Sequence, residues 1–219
     1  HGLGDWYDVA PGCPGESKLT SKGVTATAVY YGNLRILEQA AALLGKDGDA
    51  RDFAARAHAV RGAFNAAYYH PDSGSYDRNS QTANAMPLVL GLAEEDARAL
   101  ITQNLTEVIR AAGYHVTAGD AGFSYLVRAL TGAEQGDLLY RMVCQTDGPG
   151  YAMQLEKGAT ALTEAWDASP DSSNNHCMLG HVEGWFYRGL AGIQADPAAP
   201  GFSHFILSPQ LPEGLDGVK

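Results

Sequence analysis

From Val24 to Leu44, the residues Tyr30, Leu34, Leu37, Ala41 and Leu44 recur at three or four positions, and Gly45 suits the end of the helix that this spacing predicts. Asp49 then suits the N-cap of a second helix running to about Tyr69, and the turn HPDSGSYD follows. NSQTANAMPLVLGL from Asn79 reads as a third helix and AEEDARALITQNLTEVIRAAG from Ala93 as a fourth. The loop GYHVTAGD leads into a fifth, AGFSYLVRALTG, and Asp137 to Gln145 makes a sixth. A seventh spans Met178 to Ile193, with Leu179, Val182, Phe186 and Leu190 on one stripe. Seven helices on short and medium loops, with almost no period-two alternation, predict an all-α architecture of helix pairs. After Asp196 the pattern changes: DPAAPGFSHFILSPQLPEG is rich in Pro and Gly around one β-like run, Phe202 to Leu207, and reads as the start of a β domain. The division is therefore 1–195 helical and 196–219 linking to that domain.

Composition narrows the partners. At 219 residues and 45% apolar, the chain can bury a sizeable core. A formal net charge of −10, from 25 acidic and 15 basic residues, argues against nucleic acid or an anionic membrane, both of which need a basic footprint. Neutral sugars remain compatible. Cys13, Cys144 and Cys177 are odd in number and widely spaced, which supports neither a disulfide framework nor a Cys-x-x-Cys metal site. No stretch has the length and apolarity to span a bilayer. A chain opening HGLGDWYD, without Met, is expected to be a piece of a longer polypeptide.

The candidate chemistry is acidic and aromatic. GATALTEAWD sets Glu164 near Trp166 and Asp167, and NHCMLGHVEGWFYRGLAGI brings His176 soon after. Carboxylates beside indole rings suit sugars, whose apolar face stacks on an aromatic ring while acids meet the hydroxyls. Glu164 lies in an irregular segment, the kind of loop that carries function on a rigid scaffold; the bland alternative is a surface salt bridge. In GLGDWYD, Asp5 beside Trp6 reads either as a ligand-facing acid or as the cap of a packed turn. In HVTAGDAGF, Asp120 reads as a carboxylate at a helix N-terminus and His115 as a polar loop residue. Gln81 is an amide that serves a hydroxyl or the helix start equally well, and His176 a cap-region residue or a sugar-binding imidazole. No phosphate-cradling loop, Ser nucleophile elbow or His-x-x-x-His pair is present, so neither a metal nor another cofactor is expected.

GLGDWYD, NSQTANAMPL, GATALTEAWD and NHCMLGHVEGWFYRGLAGI, in this order, resemble the catalytic region of the α-L-rhamnosidases of glycoside hydrolase family 78. The tail PAAPGFSHFILSPQLP is similar to that family's link into a C-terminal β-sandwich. The resemblance implies an (α/α)6 barrel, here its later part, that releases terminal α-L-rhamnose from glycosides or polysaccharides with inversion. Glu164 would then be the general base, Asp5 would bind rhamnose hydroxyls, Trp6 and Trp166 would wall the pocket, and His176 would donate to the sugar or orient water. Inversion sets the two acids about 6.5 to 9.5 Å apart. The family's general acid lies N-terminal to GLGDW, so the remaining part of the same polypeptide is the expected partner and the isolated 219 residues are expected to be inactive. Thr163 stands where the family usually carries Trp, PGYAMQL lacks a Trp often found there, and the loop from Asp167 to His176 is short, all of which bear on substrate preference. The alternatives are a non-catalytic sugar-binding barrel and another α-barrel glycosidase, such as an α-glucosidase or glucuronyl hydrolase.

Overall fold

A computed structural model describes residues 2–12 and 15–218; Cys13 lies outside the described residues. Helices α1 (Lys22–Leu43) and α2 (Asp47–Tyr68) pack as a hairpin. The turn between them is fixed by Gly45 at φ +68°, whose N–H reaches Ala42 O while Lys46 N–H reaches Ala41 O. Paired bonds of this kind satisfy the last carbonyls of a helix, and the left-handed residue they require favours glycine. The N-cap of α2 is Lys46, three residues before the expected Asp49. The buried stripe of α1 is Val24, Ala28, Tyr31, Leu34 and Ala41, whereas Tyr30, Leu37 and Leu44, read from the sequence as its inner face, are 49%, 46% and 70% exposed. α1 carries two apolar stripes, and packing against α2 and α3 selects the one through Tyr31.

The turn HPDSGSYD closes as a short antiparallel pair, β1 (Tyr69–His70) with β2 (Ser75–Tyr76). α3 (Gln81–Leu90) follows, capped by Ser80, whose Oγ accepts from Ala83 N–H at 3.0 Å. It is buried from Gln81 to Leu88 and touches α1, α4 (Arg98–Ala111) and α5 (Asp120–Gly132). A helix buried all round belongs at the centre of a bundle. Its neighbours fill the core with Ile101, Leu105, Phe123, Leu126 and Leu130, joined by Leu139 and Met142 of α6 (Gly136–Val143).

Beyond α6 the helices shorten. α7 (Tyr151–Glu156) has no counterpart among the expected helices, being too short to show a period. The seventh expected helix reduces to α8 (Val182–Trp185) followed by a π-helical turn, Phe186–Leu190. That wider turn shifts the helical face: Trp185 and Gly189 turn inward, while Phe186, expected on the inner stripe, is 41% exposed. The β-like run pairs backward, β4 (Phe205–Leu207) with β3 (Ile193–Ala195), so a division after residue 195 falls within a strand pair. Among the described residues, no helix is long and apolar enough to cross a membrane.

Candidate active site

Three sequence motifs meet at one buried carboxylate. Asp5 is 0% exposed. Its Oδ2 accepts from Thr82 Oγ1 at the start of α3 and from Gly119 N–H at 2.9 Å, and its Oδ1 accepts from Gly122 N–H at 2.6 Å. Main-chain bonds complete the seam, with Asp120 N–H on Trp6 O at 2.8 Å and Val9 N–H on Thr117 O at 3.0 Å. The approach is so close that a Cβ at Gly119 would fall 2.1 Å from Trp6 O, and one at Gly122 would fall 2.0 Å from Thr82 Oγ1. Burial raises the pKa of Asp5, against the bonds from Thr82, Gly119 and Gly122. Asp5, expected at sugar hydroxyls, therefore has no surface to offer a ligand, and both of its oxygens already hold the first turn of α5. Trp6 beside it is half-buried and edge-on to Tyr7.

Gln81 is spent in the same way: its Oε1 takes Thr117 N–H and its Nε2 donates to His115 O, both at 2.9 Å. His115 meets Asp147 at 2.9 Å as a partly exposed loop pair. These two residues position the strand-like segment that delivers α5.

The loop bearing Glu164 leans on the same helix. Trp166 is 3% exposed, donates from Nε1 to Ala118 O at 3.0 Å, and packs edge-on against Phe123 and Tyr151 with centroids 4.9 and 5.3 Å away. Tyr151 in turn donates its hydroxyl to Leu179 O. Trp166, expected as a pocket wall, thus sits behind the loop as its anchor. Thr163 is also buried, its Oγ1 donating to Ala165 O. Glu164 lies between these buried neighbours and is itself half-buried. A short ladder locks its backbone, with Glu164 N–H on Ser173 O and His176 N–H on Leu162 O, each 2.8 Å. Its Oε2 accepts from Ser173 N–H at 3.1 Å. The ladder pairs half-buried His176 with Leu162, two residues before Glu164, and His176 Nδ1 accepts from Met178 N–H at 3.4 Å. Asp167, by contrast, is exposed.

The structure adds Asp120 to this group. It is 5% exposed, and its Oδ1 is buried without a hydrogen-bond partner. Burial pushes its carboxyl up to about 6; His176 pulls it down, and Asp5 and Glu164 push it further up. Glu164, His176 and Asp120 therefore share one electrostatic environment at the N-terminal end of α5. His181 lies close enough to feel the Asp120 main-chain carbonyl, although burial is the larger influence and lowers its pKa. In the sequence Asp120 resembles an N-cap. The cap position is in fact Gly119, and the amides of Gly119 and Gly122 belong to Asp5, a pairing across more than 110 residues with no local signal. Among the described residues, no group of three or more His, Cys, Asp or Glu side chains is arranged to hold a metal ion.

The chain matches known proteins along most of its length. Residues 1–190 match the model of the bacterial alpha-L-rhamnosidase 6 hairpin glycosidase domain. An alpha-L-rhamnosidase of Streptomyces avermitilis is 30% identical over 95% of this chain, and one of Alteromonas sp. (strain LOR) is 27% identical over 97%. The chain spans only 20% and 24% of those two relatives. Among solved structures, the S. avermitilis alpha-L-rhamnosidase complexed with L-rhamnose superimposes with a TM-score of 0.82 at 29% identity, covering 95% of this chain and 20% of that one. The alpha-L-rhamnosidase from Dictyoglumus thermophilum gives 0.85 at 31% identity, covering 95% and 24%. The helix pairs seen here are those of the six-hairpin glycosidase fold, and the chain belongs to the bacterial α-L-rhamnosidase six-hairpin glycosidase family.

Proposed function

We propose that the polypeptide containing this chain hydrolyses terminal α-L-rhamnosides with inversion, Glu164 acting as general base on the attacking water and a segment outside residues 1–219 supplying the general acid. The observation that carries this reading is the placement of Glu164: a half-buried carboxylate on a loop fixed by the Trp166 anchor and by the ladder that pairs Glu164 with Ser173 and Leu162 with His176. With Oε2 engaged by Ser173, the other oxygen takes the proton of water. A base held in one geometry loses little entropy on reaching the transition state. Asp5 and Trp166 act here as positioning residues. Half-buried Trp6 and His176 are the side chains with surface for the sugar, His176 donating to a hydroxyl or orienting the water.

The rest of the polypeptide also has a place to pack. A cavity of about 890 Å³, lined by Tyr151, Leu155, Leu162, Cys177, Val182 and Phe186, is mainly apolar, and Leu155 within it is 70% exposed. This cavity and, separately, the outward stripe of α1 are apolar surfaces that the remaining barrel helices would cover.

Product stereochemistry tests the reading. The full-length polypeptide is incubated with p-nitrophenyl α-L-rhamnoside and a panel of other p-nitrophenyl glycosides, and the first-formed anomer is read by proton NMR. Rhamnoside-selective turnover with β-L-rhamnose appearing first is the expected result. α-L-Rhamnose first would reject inversion, and turnover of another sugar alone would reject the substrate.

A further inference from the structure

Resting on the glycosidase reading above, we propose that Asp120 is a second substrate-contacting carboxylate of the Glu164 site, its Oδ1 accepting a hydrogen bond from a ring hydroxyl of the bound sugar. Capping does not account for this side chain. Gly119 holds the N-cap position, the first-turn amides of Gly119 and Gly122 donate to Asp5, and the amide of Asp120 donates to Trp6 O. The Gly122 donor that a capping carboxylate would use is already engaged by Asp5, and Oδ1 of Asp120 is left buried and unpaired. An unpaired buried carboxylate oxygen is costly, and such a cost is commonly found where a ligand completes the bonding.

The surroundings indicate which ligand completes it. Glu164 and His176 act on Asp120 from the 158–176 loop, Asp5 from the N-terminal loop, and His181 faces its main-chain carbonyl. An acceptor placed beside the base of a sugar site calls for an O–H donor. A ring hydroxyl supplies one and is oriented by donating it. Asp120 would thus fix the ring against Glu164 and discriminate against sugars lacking that hydroxyl, since a site built to bond a hydroxyl rejects analogues that leave its polar group unpaired.

The experiment is a cycle between enzyme and substrate. The full-length polypeptide and its Asp120→Ala and Asp120→Asn variants are assayed for kcat/KM on p-nitrophenyl α-L-rhamnoside and its 2-, 3- and 4-deoxy counterparts, with unfolding checked for each protein. Asp120→Ala is expected to lose roughly 10- to 100-fold on the rhamnoside, the loss of one charge-assisted hydrogen bond. On one deoxy substrate the wild-type and Ala proteins should differ by no more than about threefold, because the bond is absent in both. Comparing each substrate between proteins cancels its intrinsic reactivity. Equal losses on all four substrates, a loss smaller than about threefold on the rhamnoside, or failure of both variants to fold would each overturn the proposal and make Asp120 structural. No rhamnoside turnover by the wild type would instead reject the rhamnosidase reading, and this inference with it.

Discussion

Replacing Asp120 by Asn changes the electrostatics of the site with little change of shape. Burial, reinforced by Asp5 and Glu164 and opposed by His176, moves its carboxyl from 3.8 to about 6. The folded protein therefore holds this proton more tightly than the unfolded chain does. For an acid raised in this way, the stabilising contribution is fully present below about pH 4 and is lost as pH rises through about 6. Two units at about 1.36 kcal/mol each put the loss near 3 kcal/mol at pH 7.5, an upper figure because the site relaxes. Asn does not titrate and escapes this loss. Urea unfolding of the full-length wild type and Asp120→Asn, followed through the transition of this domain at pH 4.5 and 7.5, reads the effect directly. The stability of the variant relative to wild type should rise by about 1–3 kcal/mol from the lower to the higher pH. A difference independent of pH, or one moving the other way, would refute the account of Asp120 as a buried, uncompensated acid.

Other perturbations separate framework from chemistry. Asp5→Ala strands the donors of Thr82, Gly119 and Gly122 and should lower stability by about 3–5 kcal/mol, measured by urea unfolding. Gly122→Ala should destabilise by at least about 2 kcal/mol, because its Cβ would lie 2.0 Å from Thr82 Oγ1 and 2.5 Å from Asp5 Oδ2. Gly62→Ala in α2 meets nothing within 4 Å and should stabilise by about 0.5–1 kcal/mol, so the two melting curves should move in opposite directions. Trp166→Phe removes the bond to Ala118 O; it should lower kcat by about tenfold through looser placement of Glu164, with KM little changed.

The fold was largely readable because its long helices carry it. α1, α3, α4 and α5 fall close to where periodicity and glycine punctuation place them, and the resemblance carried by four motifs names their arrangement. What escaped depended on choices that a helical period does not make. Two stripes of α1 are apolar, and only packing against α2 and α3 decides between Tyr30 and Tyr31. The π turn after Trp185 moves Phe186 outward by a change of one residue that no hydrophobic pattern records. In the site, the acid and indole of GATALTEAWD were visible, but their division of labour was not: Glu164 keeps surface, whereas Trp166 gives its surface to Phe123 and Tyr151. Of the two readings the sequence leaves open for Asp5, the structure shows the packed one, and it leaves Asp120 without the cap bonds the sequence suggested. The residue in the conspicuous GLGDW motif supplies the bonds to the first turn of α5, and the residue that looked like a cap is left with an unpaired oxygen.

The role of Glu164 is central, and its amide variant tests it most directly. Hydrolysis of p-nitrophenyl α-L-rhamnoside by the full-length wild type is compared with Glu164→Gln, both proteins being shown to unfold at the same urea midpoint. A fall in kcat of about 10² or more at unchanged stability, the loss typical of a removed general base, is the predicted result. A variant retaining wild-type kcat would contradict the assignment and return Glu164 to the loop's surface chemistry.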